Sequence, residues 1–204
     1  MKAIKIKILE YLLENKDNNN ISTISKNIKT NYSNTYQNIL LMDELDLIKF
    51  GQNKLVFLKN ILTPEIFTAE NNRLMNLLKS EDIRNITRKL NKISSPFFTA
   101  LLFGSRIKSK KFDDIDLCII SDDKKIISEI ENELDTLSYS IDLNTFTVNE
   151  FKEMISSKNS NVGNEILKKN IILKGIENYY ELLKCHQSSN EKLKDSSDES
   201  KKKT

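Results

Sequence analysis

Two short stretches decide how this sequence is interpreted: LLFGS at residues 101–105 and DDIDL at residues 113–117. The first is an apolar run that ends in Gly-Ser, and the second carries acids on alternate residues. Because a β-strand sends residues i and i+2 to the same face, Asp114 and Asp116 should lie side by side. Two unpaired carboxylates that close repel each other by roughly 1–4 kcal/mol. A bound divalent cation removes this repulsion, so the pattern predicts a cation site.

The bulk composition is typical of a soluble globular protein. The 204 residues suffice for one large domain or two small ones, and 38% of them are hydrophobic and 30% charged. No apolar run approaches the roughly 20 residues that span a bilayer. The first seven residues alternate lysine with apolar residues where a signal peptide is uninterruptedly apolar, so we expect a cytoplasmic protein with no membrane association.

Neither cysteine nor histidine chemistry is indicated. Cys118 and Cys185 match no metal-binding spacing, and we expect two reduced thiols with Cys118 buried in a strand. The single histidine, His186, borders a polar tail and is expected on the surface.

The first 62 residues have the pattern of three short helices followed by a β-hairpin. Apolar residues recur at helical spacing three times, and two short apolar strands with a Gly-containing turn follow. In chain order these segments are 1–14, 21–28, 36–45, 47–50 and 55–58. This order resembles the winged helix-turn-helix family, which implies a domain able to bind double-stranded DNA.

The second half alternates strands and helices around the two opening stretches. Thr63 and Pro64 begin a helical segment that ends before Pro96. The remaining segments are predicted as strands at 97–103, 115–120 and 140–148, a helix between 122 and 137, and two further helices on either side of a short apolar run at 171–173. Beyond residue 185 almost nothing is apolar, which predicts disorder.

The order of strand, Gly-Ser, acidic strand, helix and a third strand with an acid resembles the nucleotidyltransferase superfamily, in particular its minimal members. The resemblance implies a small mixed sheet backed by helices, and transfer of a nucleoside monophosphate from an NTP to an acceptor. We therefore predict an α+β protein in four parts. These are a winged helix-turn-helix domain at 1–62, a connecting helical segment at 63–93, a nucleotidyltransferase-like domain at 94–184 and a disordered tail at 185–204.

The resemblance also implies the roles of six residues. Asp114, Asp116 and Asp142 become catalytic metal ligands that hold two Mg²⁺ ions, and the alternation of residues 141–144 places Asp142 on the matching face of its strand. The predicted nucleotide-binding residues are Gly104, Ser105 and Arg106. The substrate is expected to be an NTP, with ATP as the first choice.

A basic loop follows the Gly-Ser turn and departs from the family pattern. Lys108, Lys110 and Lys111 could add positive charge around a triphosphate. Many family members have a glycine shortly after Gly-Ser, whereas Ile107, Lys108 and Ser109 fill that stretch here. An active transferase and an inactive, nucleotide-sensing domain therefore both remain open.

The third helix is the expected DNA reader of the winged helix. Asparagine and glutamine can bond adenine edges, and lysine can meet phosphates. The predicted DNA contacts are Ser33, Asn34, Gln37 and Lys54. Because the same helix ends in acids and carries no Lys or Arg, a winged helix used for dimerisation or protein contact is the alternative.

Three functions are therefore carried forward. The first is a Mg²⁺-dependent transferase that modifies a hydroxyl of a protein or a tRNA, with a homodimer as one arrangement. The second is a DNA-binding transcriptional regulator whose transferase-like domain senses a nucleotide. The third is an antitoxin-like component of a toxin–antitoxin pair, since minimal nucleotidyltransferases are known in such pairs.

Overall fold

A computed structural model describes most of the chain and places it in a mixed α+β fold. The described residues are 2–17, 19–107, 109, 114–157 and 159–184. Several predictions concern residues outside these ranges, namely the tail at 185–204, Cys185, His186, Lys108, Lys110 and Lys111.

The N-terminal part consists of helices followed by a small antiparallel sheet. Asn20 and Asn31 begin the second and third helices, because each side-chain oxygen accepts a hydrogen bond from the backbone N–H three residues later. The two strands pair from Ile48 opposite Leu58 to Phe50 opposite Val56. The elements are α1 (Lys2–Glu14), α2 (Ile21–Asn27), α3 (Tyr32–Glu44), β1 (Ile48–Phe50) and β2 (Val56–Leu58).

Two helices connect this part to the main sheet. Thr63 caps α4 (Pro64–Leu77), and Pro64 occupies the first helical position as the sequence predicts. The helical segment breaks at Ser80 before α5 (Glu81–Lys92). Acids in the first turn of α5 and lysines in its last turn both interact favourably with the helix dipole.

The main sheet has four strands in the order β5-β4-β3-β6 among the described residues. Its strands are β3 (Thr99–Leu102), β4 (Ile115–Ile120), β5 (Ile141–Phe146) and β6 (Ile171–Lys174). β4 and β5 run parallel, whereas β3 is antiparallel to both of its neighbours, so the sheet is mixed as predicted. The fourth strand is a correction, since the apolar run at 171–173 was not predicted as a strand. Periodicity cannot distinguish so short an apolar run from a helix segment.

Helices complete the second half of the chain. The β4–β5 crossover is α6 (Lys124–Asp135), and α7 (Val148–Ser156) and α8 (Val162–Lys168) lie between β5 and β6. A last helix, α9, covers residues 176–184. Within the described ranges, no helix combines the length and apolar character needed to cross a membrane.

The two faces of the main sheet pack against different helices. Ile115, Leu117 and Ile119 lie in one apolar cluster with residues of α5 and α6. Cys118 and Ile120 lie in a second cluster, which also contains residues of α1, α3, α4, α7, α8 and α9. The N-terminal helices therefore share an apolar core with the main sheet. The domain boundaries at residues 62, 93 and 184 stay predictions.

Candidate metal centre

The strand β3 ends in a turn whose shape depends on glycine. Gly104 has a φ of +71°, a conformation that side chains disfavour, and it precedes the 3-10 turn Ser105–Ile107. A Cβ atom at residue 104 would lie 1.9 Å from Oδ2 of Asp116. The missing side chain therefore leaves the space that the Asp116 carboxylate occupies. Gly104 and Ser105 are both exposed to solvent.

The three predicted metal ligands come together at this edge of the sheet. Asp116 and Asp142 lie directly opposite each other in the parallel β4–β5 pair. Asp114 lies two residues before Asp116, immediately before β4 begins. Each of the three side chains offers an oxygen, and these oxygens all lie within 4.8 Å of one another. We call this set the Asp triad; its residues could hold a metal ion.

The electrostatics of the Asp triad show a local excess of negative charge. The pKa of Asp116 is raised, first by its partial burial and then by the nearby charges of Asp114 and Asp142. Glu165 of α8 contributes a smaller effect in the same direction. A cation among these acids would oppose that shift, because it favours the ionised carboxylate.

Glu165 is an acid near the site that sequence reasoning did not include. It is exposed and belongs to α8, one of the helices whose residues share an apolar cluster with Cys118 and Ile120. Its approach to Asp116 depends on how α8 packs against the sheet. No local spacing signals such a contact, so only the tertiary structure reveals it.

Comparison with protein-family models and with curated proteins finds no match to this chain. The resemblance to nucleotidyltransferases therefore rests on the residues themselves: the Gly-Ser turn, the two alternating acids and the acid on the neighbouring strand. The distances, burial and charges of these residues in the structure are the basis on which a function is proposed below.

Arg106, predicted to bind the nucleotide, makes a buried ion pair in the structure. Its guanidinium donates from Nε to Oδ2 of Asp82 at 2.6 Å and from Nη2 to Oδ1 of Asp82 at 2.9 Å. Nη2 also donates to Ser80 Oγ at 2.5 Å, and Nη1 donates to the Ser109 carbonyl at 3.3 Å. Only 4% of Arg106 and 8% of Asp82 are exposed. These contacts fix the turn that follows Gly104 to the start of α5.

A cavity of about 700 Å³ borders the same turn. It lies between the α4–α5 junction and the 3-10 turn, and Tyr139, just before β5, forms part of its wall. The volume falls in the range of roughly 300–1,000 Å³ that is usual for small-molecule sites. Its wall contains Asn76, Leu77, Lys79, Ser80, Glu81, Asp82, Arg106, Ile107, Ser109 and Tyr139.

The predicted DNA contacts are all on the surface. Ser33, Asn34 and Gln37 are exposed on α3, and Lys54 is exposed in the turn between β1 and β2. Their exposure is compatible with a nucleic-acid contact and equally with a protein contact. DNA binding by these residues stays a prediction.

Proposed function

We propose that the protein is a Mg²⁺-dependent nucleotidyltransferase that moves a nucleoside monophosphate from an NTP to an acceptor hydroxyl. The observation that carries this proposal is the Asp triad, built from two adjacent parallel strands and placed against the Gly104 turn. The exposed turn and the three carboxylates together support a triphosphate substrate.

The donor set fits Mg²⁺. This ion prefers oxygen ligands and is held in enzymes by one or two carboxylates together with substrate phosphates. Asp114, Asp116 and Asp142 supply such oxygens within 4.8 Å of one another. The pKa of Asp116 is raised first by partial burial and then by the charges of Asp114 and Asp142, and a bound cation would offset the second of these causes. When bound, Mg²⁺ would neutralise charge on the triphosphate and on the departing pyrophosphate.

The protein's own residues would position the substrates. The absence of a side chain at Gly104 lets the Asp116 carboxylate lie against the turn, and the exposed Ser105 hydroxyl can donate a hydrogen bond to a phosphate oxygen. Asp142 is the exposed member of the triad, so its carboxylate is the one most accessible to an incoming hydroxyl. In the proposed reaction, an Asp142 carboxylate oxygen accepts the proton of that hydroxyl as it attacks the α-phosphorus.

A transfer assay tests the proposal. The protein is incubated with Mg²⁺, labelled ATP, GTP, CTP or UTP, and protein or tRNA acceptors. We expect label transfer that falls at least about a hundredfold in Asp116→Asn, because this change removes one carboxylate charge from the site. The control is Asp135→Asn, which removes an exposed acid from α6 and should leave transfer unchanged. Equal transfer by wild type and Asp116→Asn would contradict the proposal.

A binding measurement separates a transferase from a nucleotide sensor. Titration with Mn²⁺ and ATP should show binding that depends on Asp116 in both cases. Binding without transfer to any acceptor would favour the sensor, whereas the absence of both would contradict either function.

We also propose that the first 62 residues form a winged helix. Three helices followed by the antiparallel pair β1–β2 support this assignment. Electrophoretic mobility shifts with duplex DNA at increasing salt test the expected nucleic-acid contact. Binding that persists when Lys54 is replaced by Ala, and that does not weaken with salt, would argue against it.

A further inference from the structure

A second cavity lies at the end of the main sheet opposite the Asp triad. Its volume is about 660 Å³, within the range of roughly 300–1,000 Å³ that is usual for small-molecule sites. Ile120 and Asp122 line it at the end of β4, whereas Asp116 lies near the start of the same strand. Six residues of a strand span about 20 Å, so this cavity is separate from the Asp triad. We call it the end cavity.

Much of the wall of the end cavity is apolar. The apolar side chains come from the segment before β3, from β4 and from the helices α6, α7 and α9. They are Phe97, Phe98, Ile120, Ile126, Val148 and Leu182. A bare inorganic ion gains nothing from such a wall, whereas a ligand with an apolar body loses its contact with water there. The wall therefore favours an organic ligand.

Phe97 places an aromatic ring at the edge of the end cavity. It is 78% exposed, more than any other large apolar residue in the described part of the chain. Its N–H donates to Ser95 Oγ at 3.2 Å, and its carbonyl accepts from Ser121 Oγ at 3.3 Å. Asn178 of α9 donates to the neighbouring Pro96 carbonyl at 3.0 Å. These bonds fix the backbone, so the exposed ring is held in place where a ligand could pack against it.

The rim of the end cavity carries a net negative charge. Its charged residues are Asp122, Asp123, Lys124 and Glu181, and all four are exposed. The helices α6 and α7 also begin at this rim, and the N-terminus of a helix carries roughly half a positive charge. The two N-termini offset about one of the two net negative charges of these side chains. The rim therefore still attracts a cation and repels an anion.

The rim acids have acceptor capacity beyond their contacts within the protein. One oxygen of Asp122 accepts from the Val148 N–H at 2.9 Å, and one oxygen of Glu181 accepts from Lys184 at 2.5 Å. A carboxylate has two oxygens with about four acceptor positions, and an ammonium group has three N–H donors. An ammonium group at the rim can therefore bind these acids without breaking the bonds that they already make.

We propose that the end cavity binds an organic ammonium ion with an aromatic body. The aromatic part packs against the apolar wall and the exposed ring of Phe97, and the ammonium group binds the acids of the rim. Aromatic rings also attract cations through their faces, so Phe97 can contribute to binding of either part of the ligand. This site is independent of the proposed transferase function, because it lies at the other end of the sheet.

An NMR titration of the full chain with 2-phenylethylamine at pH 7 tests the proposal. We expect a dissociation constant of about 1 mM or lower, with shifts of the Thr99 and Asn178 amide signals and none at Asp116. Two probes with the same aromatic body test the role of the charge. The neutral 2-phenylethanol should bind about tenfold more weakly, and the anion phenylacetate should bind more weakly still.

Variants at exposed positions test the two parts of the site without altering the core. Phe97→Ala should weaken amine binding about fivefold, and Glu181→Gln should weaken it about threefold. The matched controls are Phe67→Ala in α4 and Glu177→Gln in α9, which change exposed residues outside the end cavity and should leave binding unchanged.

Three results would overturn the proposal. The first is no amine binding up to about 10 mM, or shifts confined to the Asp triad. The second is amine binding that is unchanged in both Phe97→Ala and Glu181→Gln. The third is binding of phenylacetate as tight as that of the amine, because the charge of the rim would then not select the ligand.

Discussion

Replacing Arg106 by methionine would test how the turn beside the Asp triad is held in place. The change keeps a long apolar side chain but removes the cation that pairs with buried Asp82. Loss of one partner of a buried ion pair leaves an uncompensated charge and typically destabilises a protein by about 3–5 kcal/mol. Arg106 and Asp82 form a buried ion pair of this kind, because two hydrogen bonds of 2.6 and 2.9 Å join them.

The pKa of Asp82 adds a pH dependence to the same prediction. Burial alone raises this pKa, but the hydrogen bonds from Arg106 and Ser80 outweigh burial and lower it from 3.8 to about 2. A lowered pKa means that the folded state favours the ionised form. The difference between the unfolded-state pKa of 3.8 and the folded-state pKa of about 2 corresponds to about 2 kcal/mol of stability. This contribution is present above about pH 3.8 and is lost as the pH falls through about 2.

Urea unfolding followed by circular dichroism measures both effects. At pH 7 we expect the free energy of unfolding of Arg106→Met to lie about 3–5 kcal/mol below that of wild type. The difference should narrow below about pH 3.8. Arg84→Met removes an exposed arginine from α5 and should change the stability by less than about 0.5 kcal/mol. A loss of under about 1 kcal/mol, or a difference that is constant with pH, would refute the reasoning.

Three further changes follow from particular contacts. Gly104→Ala should displace the Asp116 carboxylate and weaken Mn²⁺ binding at least about tenfold in a calorimetric titration, and unchanged affinity would contradict the close packing at Gly104. Thr147→Ala removes the capping box of α7 and should lower the free energy of unfolding by about 1 kcal/mol, whereas an unaltered denaturation midpoint would mean that the cap does not contribute. Burial raises the pKa of the Cys118 thiol to about 12. In a Cys185→Ser background, this thiol should therefore react with a disulfide reagent at pH 8 roughly a thousandfold more slowly in the folded protein than in urea. Equal rates would show that the thiol is accessible in the folded protein.

The Asp triad could be predicted from the sequence because it depends on local rules. Alternation along β4 fixes Asp114 and Asp116 on one face, and alternation along β5 fixes Asp142. The parallel register then aligns Asp116 with Asp142. Alternation predicted the face of each acid and the family resemblance implied that Asp142 joins the other two; the structure shows that one oxygen of each carboxylate lies within 4.8 Å of the others.

The surroundings of the triad could not be predicted in the same way. Arg106 lies in the turn and Asp82 lies 24 residues earlier in α5, so only the packing of α5 against the sheet brings them together. The strand β6 depends on the free edge of β3, because pairing with β3 turns a short apolar run into a strand. Both features are set by contacts between elements that are distant in sequence, and spacing within one element does not signal them.

The N-terminal helices support the main sheet through α4. In α4, Arg73 donates to Glu70 at 2.6 Å and to the Asn170 carbonyl at 2.7 Å, and Tyr180 of α9 donates to Glu70 at 3.0 Å. These buried groups fix α4 to the start of β6 and to α9, and α1 packs against α4 on the same side of the molecule. Glu70 and Arg73 are both buried and charged, so removing one partner and leaving the other buried would be strongly destabilising.

It follows that removing residues 1–62 would do more than delete a binding module. Apolar residues of α1 and α3 belong to the same cluster as Cys118 and Ile120, which lie on the sheet face that carries the Asp triad. The helix α3 enters this cluster through Ile39 and Met42. The N-terminal helices are therefore part of the core that supports the Asp triad, as well as carrying the predicted DNA contacts.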